Sequence, residues 1–295
     1  MIRSDWPAPR TVSLAAPPRR VVWRAWAALF AAVVVVLSAQ SAVLASSPAA
    51  ADWTKQSPAT SPPALAFASM AYDAATGNTV LFGGYGHGRR LSGTWTWNGL
   101  TWTKQSPATH PPALENASMA YDAATGNILL FGGQNAYHGY LADTWIWDGL
   151  TWTQRASATH PRAQYGASMA YDAATGDIVL LDGNGHGTTL PDTWTWDGST
   201  WTQQSPATSP PGRAFASMAY DAATSGIVLF GGAGMHGLIA DTWTWDGSTW
   251  TQQSPATSPP GRESASMAYD AATSSIVLFG GSIGNHNLAD TWIWG

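Results

Sequence analysis

The sequence predicts an all-β protein made of five copies of one four-stranded antiparallel sheet, and three observations carry that expectation. The stretch Asp241-Thr-Trp-Thr-Trp-Asp-Gly-Ser-Thr-Trp250 recurs with small changes from Gly93, Asp143 and Asp192, and once more, cut short at Gly295, from Asp290. Its anchor tryptophans, Trp95, Trp145, Trp194, Trp243 and Trp292, are 49 or 50 residues apart, so the intervening chain is one repeated unit and not a set of separate domains. Each unit also divides into four short segments of strand character, and the two chain ends hold complementary fragments of one unit.

The second copy shows how each element is read. Strands are expected over 117–122, 127–131, 143–147 and 151–154. The first and third alternate with period two, whereas the second, Asn127-Ile-Leu-Leu-Phe131, is a continuous apolar run suited to a strand covered on both faces. Asp122-Ala-Ala-Thr-Gly-Asn127 supplies the first turn, with Gly126 free to take positive φ, and Asp148-Gly149 punctuates the hairpin between the third and fourth strands.

The first 51 residues differ in composition. Arg3, Arg10, Arg19, Arg20 and Arg24 precede an apolar run from Ala25 to Ala39, followed by small residues up to Ala51. This is the pattern of an export leader with cleavage after Ala45 or Ala51, and Arg19-Arg20 resembles a twin-arginine signal. The alternative is a retained N-terminal anchor, although the run is short for a membrane span of about 20 residues. The expected organisation is therefore a leader over 1–51 and a folded part over 52–295, with a secreted or cell-envelope location.

The terminal fragments predict closure of the repeat array. Trp53-Thr-Lys-Gln56 is a fourth strand without its first three, and the chain leaves at Trp292-Ile-Trp294, a third strand without its fourth. Pairing the two completes a fifth sheet and removes an open edge. Of the 18 tryptophans, three lie in the leader and the remainder fall three to a repeat, which marks them as packing residues between sheets.

A four-stranded unit repeating at close to 50 residues resembles the kelch-repeat family. The residues that carry the likeness are Gly83-Gly84, Gly132-Gly133, Gly231-Gly232 and Gly280-Gly281 at the end of the second strand, each followed by the anchor Trp about a dozen residues later. The third copy departs from the pattern with Leu181-Asp182-Gly183. The resemblance covers Trp53 to Gly295 and implies a β-propeller, and the strand count with its complementary terminal fragments makes the expected number of blades five. Some kelch propellers are copper oxidases with a Tyr-Cys crosslink; this chain has no cysteine and cannot form one.

Composition narrows the function further. Without the leader's five arginines and one aspartate the formal charge moves from −5 to −9, and nucleic-acid binding, which needs clustered cations, is not expected. Positions that differ between otherwise matching copies gather in the connections before the first strand and in the loops from second to third strand. Both leave a blade on the same edge, so they form one face of the disc, where binding groups are commonly placed. The candidate ligand-binding residues there are Phe67, Tyr85, His87, Arg89, Glu115, Tyr137, His138, Tyr140, Tyr165, His186, Arg213, Phe215, His236, Arg262 and His286. The five loop histidines come from separate blades and are not expected to share a metal ion, and no cofactor is implied. The expected activity is that of a monomeric binding module for a protein or glycan. The alternatives are a carbohydrate-active hydrolase using Glu115 and Glu263 as its carboxyl pair, and a structural envelope protein.

Overall fold

The repeats fold as their alternation requires. A computed structural model describes residues 55–136 and 139–295, and Gln56–Gly295 forms one compact unit. The first sheet runs Ser69–Asp73, Asn78–Phe82, Thr94–Trp97 and Trp102–Lys104, paired antiparallel in chain order. Three further four-stranded sheets repeat this order. In the second, the strands are Ser118–Asp122, Asn127–Phe131, Thr144–Trp147 and Trp152–Arg155, each within a residue of its expected bounds. The last sheet has three strands among the described residues, Ser266–Asp270, Ser275–Phe279 and Thr291–Trp294. The leader and, of the expected closing strand, Trp53 and Thr54 lie outside the described residues; Lys55 and Gln56 belong to no strand.

Burial follows from sheet stacking. In the first strand of the second sheet Ser118, Ala120 and Asp122 are buried while Met119 and Tyr121 are half-buried, and Ile128 to Phe131 are buried throughout. Val80 and Phe82 of the first sheet pack against Ile128, Leu130, Trp147 and Trp152 of the second. The same arrangement joins Leu129 and Phe131 to Ile178, Leu180, Trp196 and Trp201, and Val179 and Leu181 to Ile227, Leu229, Trp245 and Trp250. A fourth, smaller cluster joins Val228 to Ile276. Consecutive sheets thus pack face to face, and at the first three junctions buried tryptophans each remove on the order of 150–250 Å² from water, whereas Trp294 at the fourth is half-buried.

Hydrogen bonds tie neighbouring sheets at one end and brace the turn within a sheet at the other. In the first four sheets a serine at the start of the first strand donates to the connection leading into the next sheet: Ser69 Oγ to Ala117 O at 2.7 Å, Ser118 to Ala167 at 2.7 Å, Ser168 to Ala216 at 2.8 Å and Ser217 to Ala265 at 2.7 Å. At the first turn Asp122 accepts from Ala124 N and Thr125 N on Oδ1, and from Thr125 Oγ1 on Oδ2. Gly126 there takes φ 72°, as the sequence requires. The third-copy departure leaves the sheet intact: Leu181 is buried and pairs in register with Ser168 and Thr193.

Candidate binding site

The variable residues before each first strand share an unusual backbone. Phe67, Asn116, Gly166, Phe215 and Ser264 occupy equivalent positions, and all five have positive φ, between 56° and 65°. For a bulky side chain this is a strained conformation that persists only where the surroundings enforce it. The enforcement is a run of backbone bonds from sheet to sheet: Asn116 N to Phe67 O at 3.0 Å, Gly166 N to Asn116 O at 3.0 Å, Phe215 N to Gly166 O at 2.8 Å and Ser264 N to Phe215 O at 2.9 Å. These residues therefore sit side by side along one edge of the stacked sheets.

Aromatic rings line part of that edge. Tyr140 lies 5.1 Å from Tyr165 and 5.5 Å from His186 between ring centroids, and Tyr165 lies 5.7 Å edge-on from Phe215. Gly166 is required beneath this row, because a Cβ there would fall 2.8 Å from the Phe215 ring. Burial raises the Tyr165 phenol above its ordinary value and the neighbouring Tyr140 adds to the effect. Phe67 and Tyr85 belong to the first sheet's part of this edge and are 60% and 41% exposed.

The loops are more ordered than the sequence suggested. Tyr85–Gly86 pairs with Arg89–Arg90, and Asn184–Gly185 with Thr188–Thr189. His87 at φ 52° and His186 at φ 53° are each followed by a positive-φ glycine at these hairpin tips. Two positive φ values in a two-residue turn are the mark of a type I′ hairpin; the repeated His-Gly pair was the available signal. His236 and His286 are exposed, and Tyr137 and His138 lie outside the described residues.

Several candidate charges are committed elsewhere. Arg213 is 1% exposed and donates from Nη1 to Gly231 O at 2.9 Å and Asp241 Oδ1 at 2.6 Å. Arg262 repeats this with Gly280 O at 2.8 Å and Asp290 Oδ1 at 2.5 Å. The expectation that Arg213 and Arg262 offer cations to a ligand is corrected: their guanidinium groups tie a connection to its own sheet. Glu115 is buried and ion-paired with Arg90 at 2.6 Å, while Glu263 is half-buried in a backbone bridge with Ser282. Arg89 is exposed at the far side of the first loop.

The sequence reading missed one site in the third copy. Gln164 stands where Arg213 and Arg262 stand in later copies, and Asp182 replaces the glycine. Gln164 Nε2 donates to Asp182 Oδ1 at 2.7 Å, and Gly183 N donates to Gln164 Oε1. Asp182 is fully buried and its Oδ2 accepts no hydrogen bond. Burial therefore pushes its carboxyl up to about 7, against the bond from Gln164.

No protein-family profile matches the chain. No curated protein matches it either. A solved structure titled "Structure of YjhT" is similar in fold, with a TM-score of 0.62 and 15% sequence identity over 78% of this chain and 81% of that one. The chain has a β-propeller fold. Its sheets are propeller blades, and the aromatic row lies on the edge where the blades' second-to-third loops and interblade connections emerge together.

Proposed function

We propose that this chain is an exported kelch-type propeller of five blades that acts as a binding module, holding a protein or glycan ligand on the loop edge. The observation that carries this reading is the row Tyr140, Tyr165 and Phe215, with His186 beside it, contributed by adjacent blades and fixed by strained backbone at Phe215. Rigid aromatics at the centre of a surface are typical binding anchors. The pairing of Glu115 with Arg90 favours binding over hydrolysis, since a catalytic carboxyl must be free to exchange a proton with substrate.

In this reading the ring is closed by Trp53 to Gln56 as the fourth strand of the fifth blade. Support comes from a cleft beside Trp294 lined by Phe230, Thr242 and Thr257. Those residues match Leu181, Thr193 and Thr208, of which Thr193 and Thr208 hydrogen-bond Trp250 and Leu181 packs in its cluster.

The test is a glycan-array and peptide-library screen with the wild type and the Tyr165→Ala, Phe215→Ala double variant. Hits that disappear in the variant, with its thermal melt retained, support the loop edge as the binding site. Hits that survive unchanged place binding elsewhere and overturn the assignment.

A further inference from the structure

The copies of the repeat act as internal controls for one another, and the first copy lacks two acids that others carry: Asn98 stands where they have Asp148, Asp197 and Asp246, and the acid before the third strand is also missing. The third strand is preceded by Asp143, Asp192, Asp241 and Asp290 in blades two to five, and by Gly93 in blade one. In blades two, four and five a neighbouring donor hydrogen-bonds it, whereas the Trp145 and Trp194 indoles of blades two and three are buried without a partner. Trp243 Nε1 donates to Asp241 Oδ2 and Trp292 Nε1 to Asp290 Oδ2, both at 2.8 Å. Gln154 Nε2 donates to Asp143 Oδ1 at 3.0 Å.

Blade one keeps these donors and loses the acceptor. Trp95 retains the indole N–H, and the position of Gln154 is taken by Lys104, which replaces a neutral donor with a cation. Gly93, Trp95 and Lys104 line a cavity of about 560 Å³ together with His87, Arg89 and His110, and no aspartate or glutamate is among its lining residues. The counterpart in blade two, a cavity of about 400 Å³, contains Asp143 with Gln154 and His160.

The charge balance of the fold points the same way. Arg90, Arg213 and Arg262 each find a carboxylate within the chain, whereas among the described residues Arg89 and Lys104 are in no ion pair. Two cations without an internal partner thus converge on one groove of an otherwise acidic protein. His110 donates from Nδ1 to Pro111 O at 2.7 Å, so its Nε2 is the nitrogen left for another partner.

We infer that this groove binds a carboxylate from outside, seated where the other blades place their own aspartate. The ligand carboxylate accepts from the Trp95 indole N–H and from Lys104, with Arg89 supplying the second positive charge. A charge-assisted bond of this type is stronger than a neutral one. The groups are solvent-accessible, so the attraction weakens as salt is added. The site is separate from the aromatic row, and its failure would leave the reading of that row untouched.

The experiment uses the full chain and ligand-observed NMR titration with two carboxylates, D-glucuronate and N-acetylglycine, and with uncharged D-glucose as the control. Saturable binding of a carboxylate and none of glucose is expected. A preference for glucuronate identifies a sugar acid as the ligand source, and a preference for N-acetylglycine a peptide C-terminus. Gly93→Asp, which restores the pattern of the other blades, and Lys104→Gln, at an exposed position that leaves the fold intact, each weaken binding by at least about tenfold. Absence of saturable carboxylate binding, or binding that Lys104→Gln leaves unchanged, overturns the inference.

Discussion

Trp250 Nε1 donates to Thr193 Oγ1 at 2.9 Å across a blade junction, and the same bond joins Trp201 to Thr144 and Trp152 to Thr94, each at 2.9 Å. The backbone oxygen of each of these tryptophans accepts in turn from the threonine of the interblade connection before its own blade, Thr208, Thr159 or Thr109. The fourth-strand tryptophan is therefore the bolt of the junction. It fills the interface by its area, and both of its polar groups are satisfied by residues of fixed identity.

That relationship makes closure measurable. Trp250→Ala should cost about 3–5 kcal/mol, the range for removing a buried large aromatic, read as a lower urea midpoint. If Trp53 bolts the fifth blade in the same way, Trp53→Ala should lower the midpoint by a comparable amount. A midpoint unchanged by Trp53→Ala, beside a large fall for Trp250→Ala, would remove the closing strand from the proposal.

A second expectation concerns pH. Asp182 holds its proton up to about 7 in the folded chain, against 3.8 for an ordinary aspartate. Between those values the folded state binds more protons than the unfolded state, so stability falls as pH rises through that window. Its contribution is complete below about 4 and is lost above about 7. The groups that bear on it are Asp192, which reinforces the shift, and Gln164 and Arg162, which oppose it. Asp182→Asn keeps an acceptor for Gln164 without the charge. Melting curves should show the variant more stable than the wild type above about 7 and similar to it near 4; parallel curves across the range would contradict the assignment.

Strand positions were legible because they rest on local pattern. The alternation in Ser118–Asp122 and the apolar run in Asn127–Phe131 place the strands within a residue, and the recurring tryptophans announce their packing role by recurring. The candidate site was legible only in part. Arg213 and Arg262 looked like surface cations because they lie in variable connections; their partners Asp241 and Asp290 lie 28 residues on and read as the recurring first residue of the third strand. Asp182 looked like a lapse in the Gly-Gly pattern, because its link to Gln164 crosses 18 residues. The clustering of Tyr140, Tyr165 and Phe215 depends on the spacing of adjacent blades, which no single repeat encodes.

The connection to Asp241 can be tested with substitutions that the chain itself supplies. Arg213 is buried and Asp241 largely so, and removing one partner of a buried pair leaves an uncompensated charge at about 3–5 kcal/mol. Arg213→Leu should show that loss. Blade one has Leu65 at the arginine position and Gly93 at the aspartate position, a combination that carries neither charge. Adding Asp241→Gly to Arg213→Leu should therefore recover most of the lost stability, even though Trp243 Nε1 gives up its acceptor. In a double-mutant cycle by urea denaturation the two changes should be strongly non-additive. Simple additivity would mean that the ion pair is incidental and that Arg213 stabilises the blade only through its bonds to Pro211 O and Gly231 O.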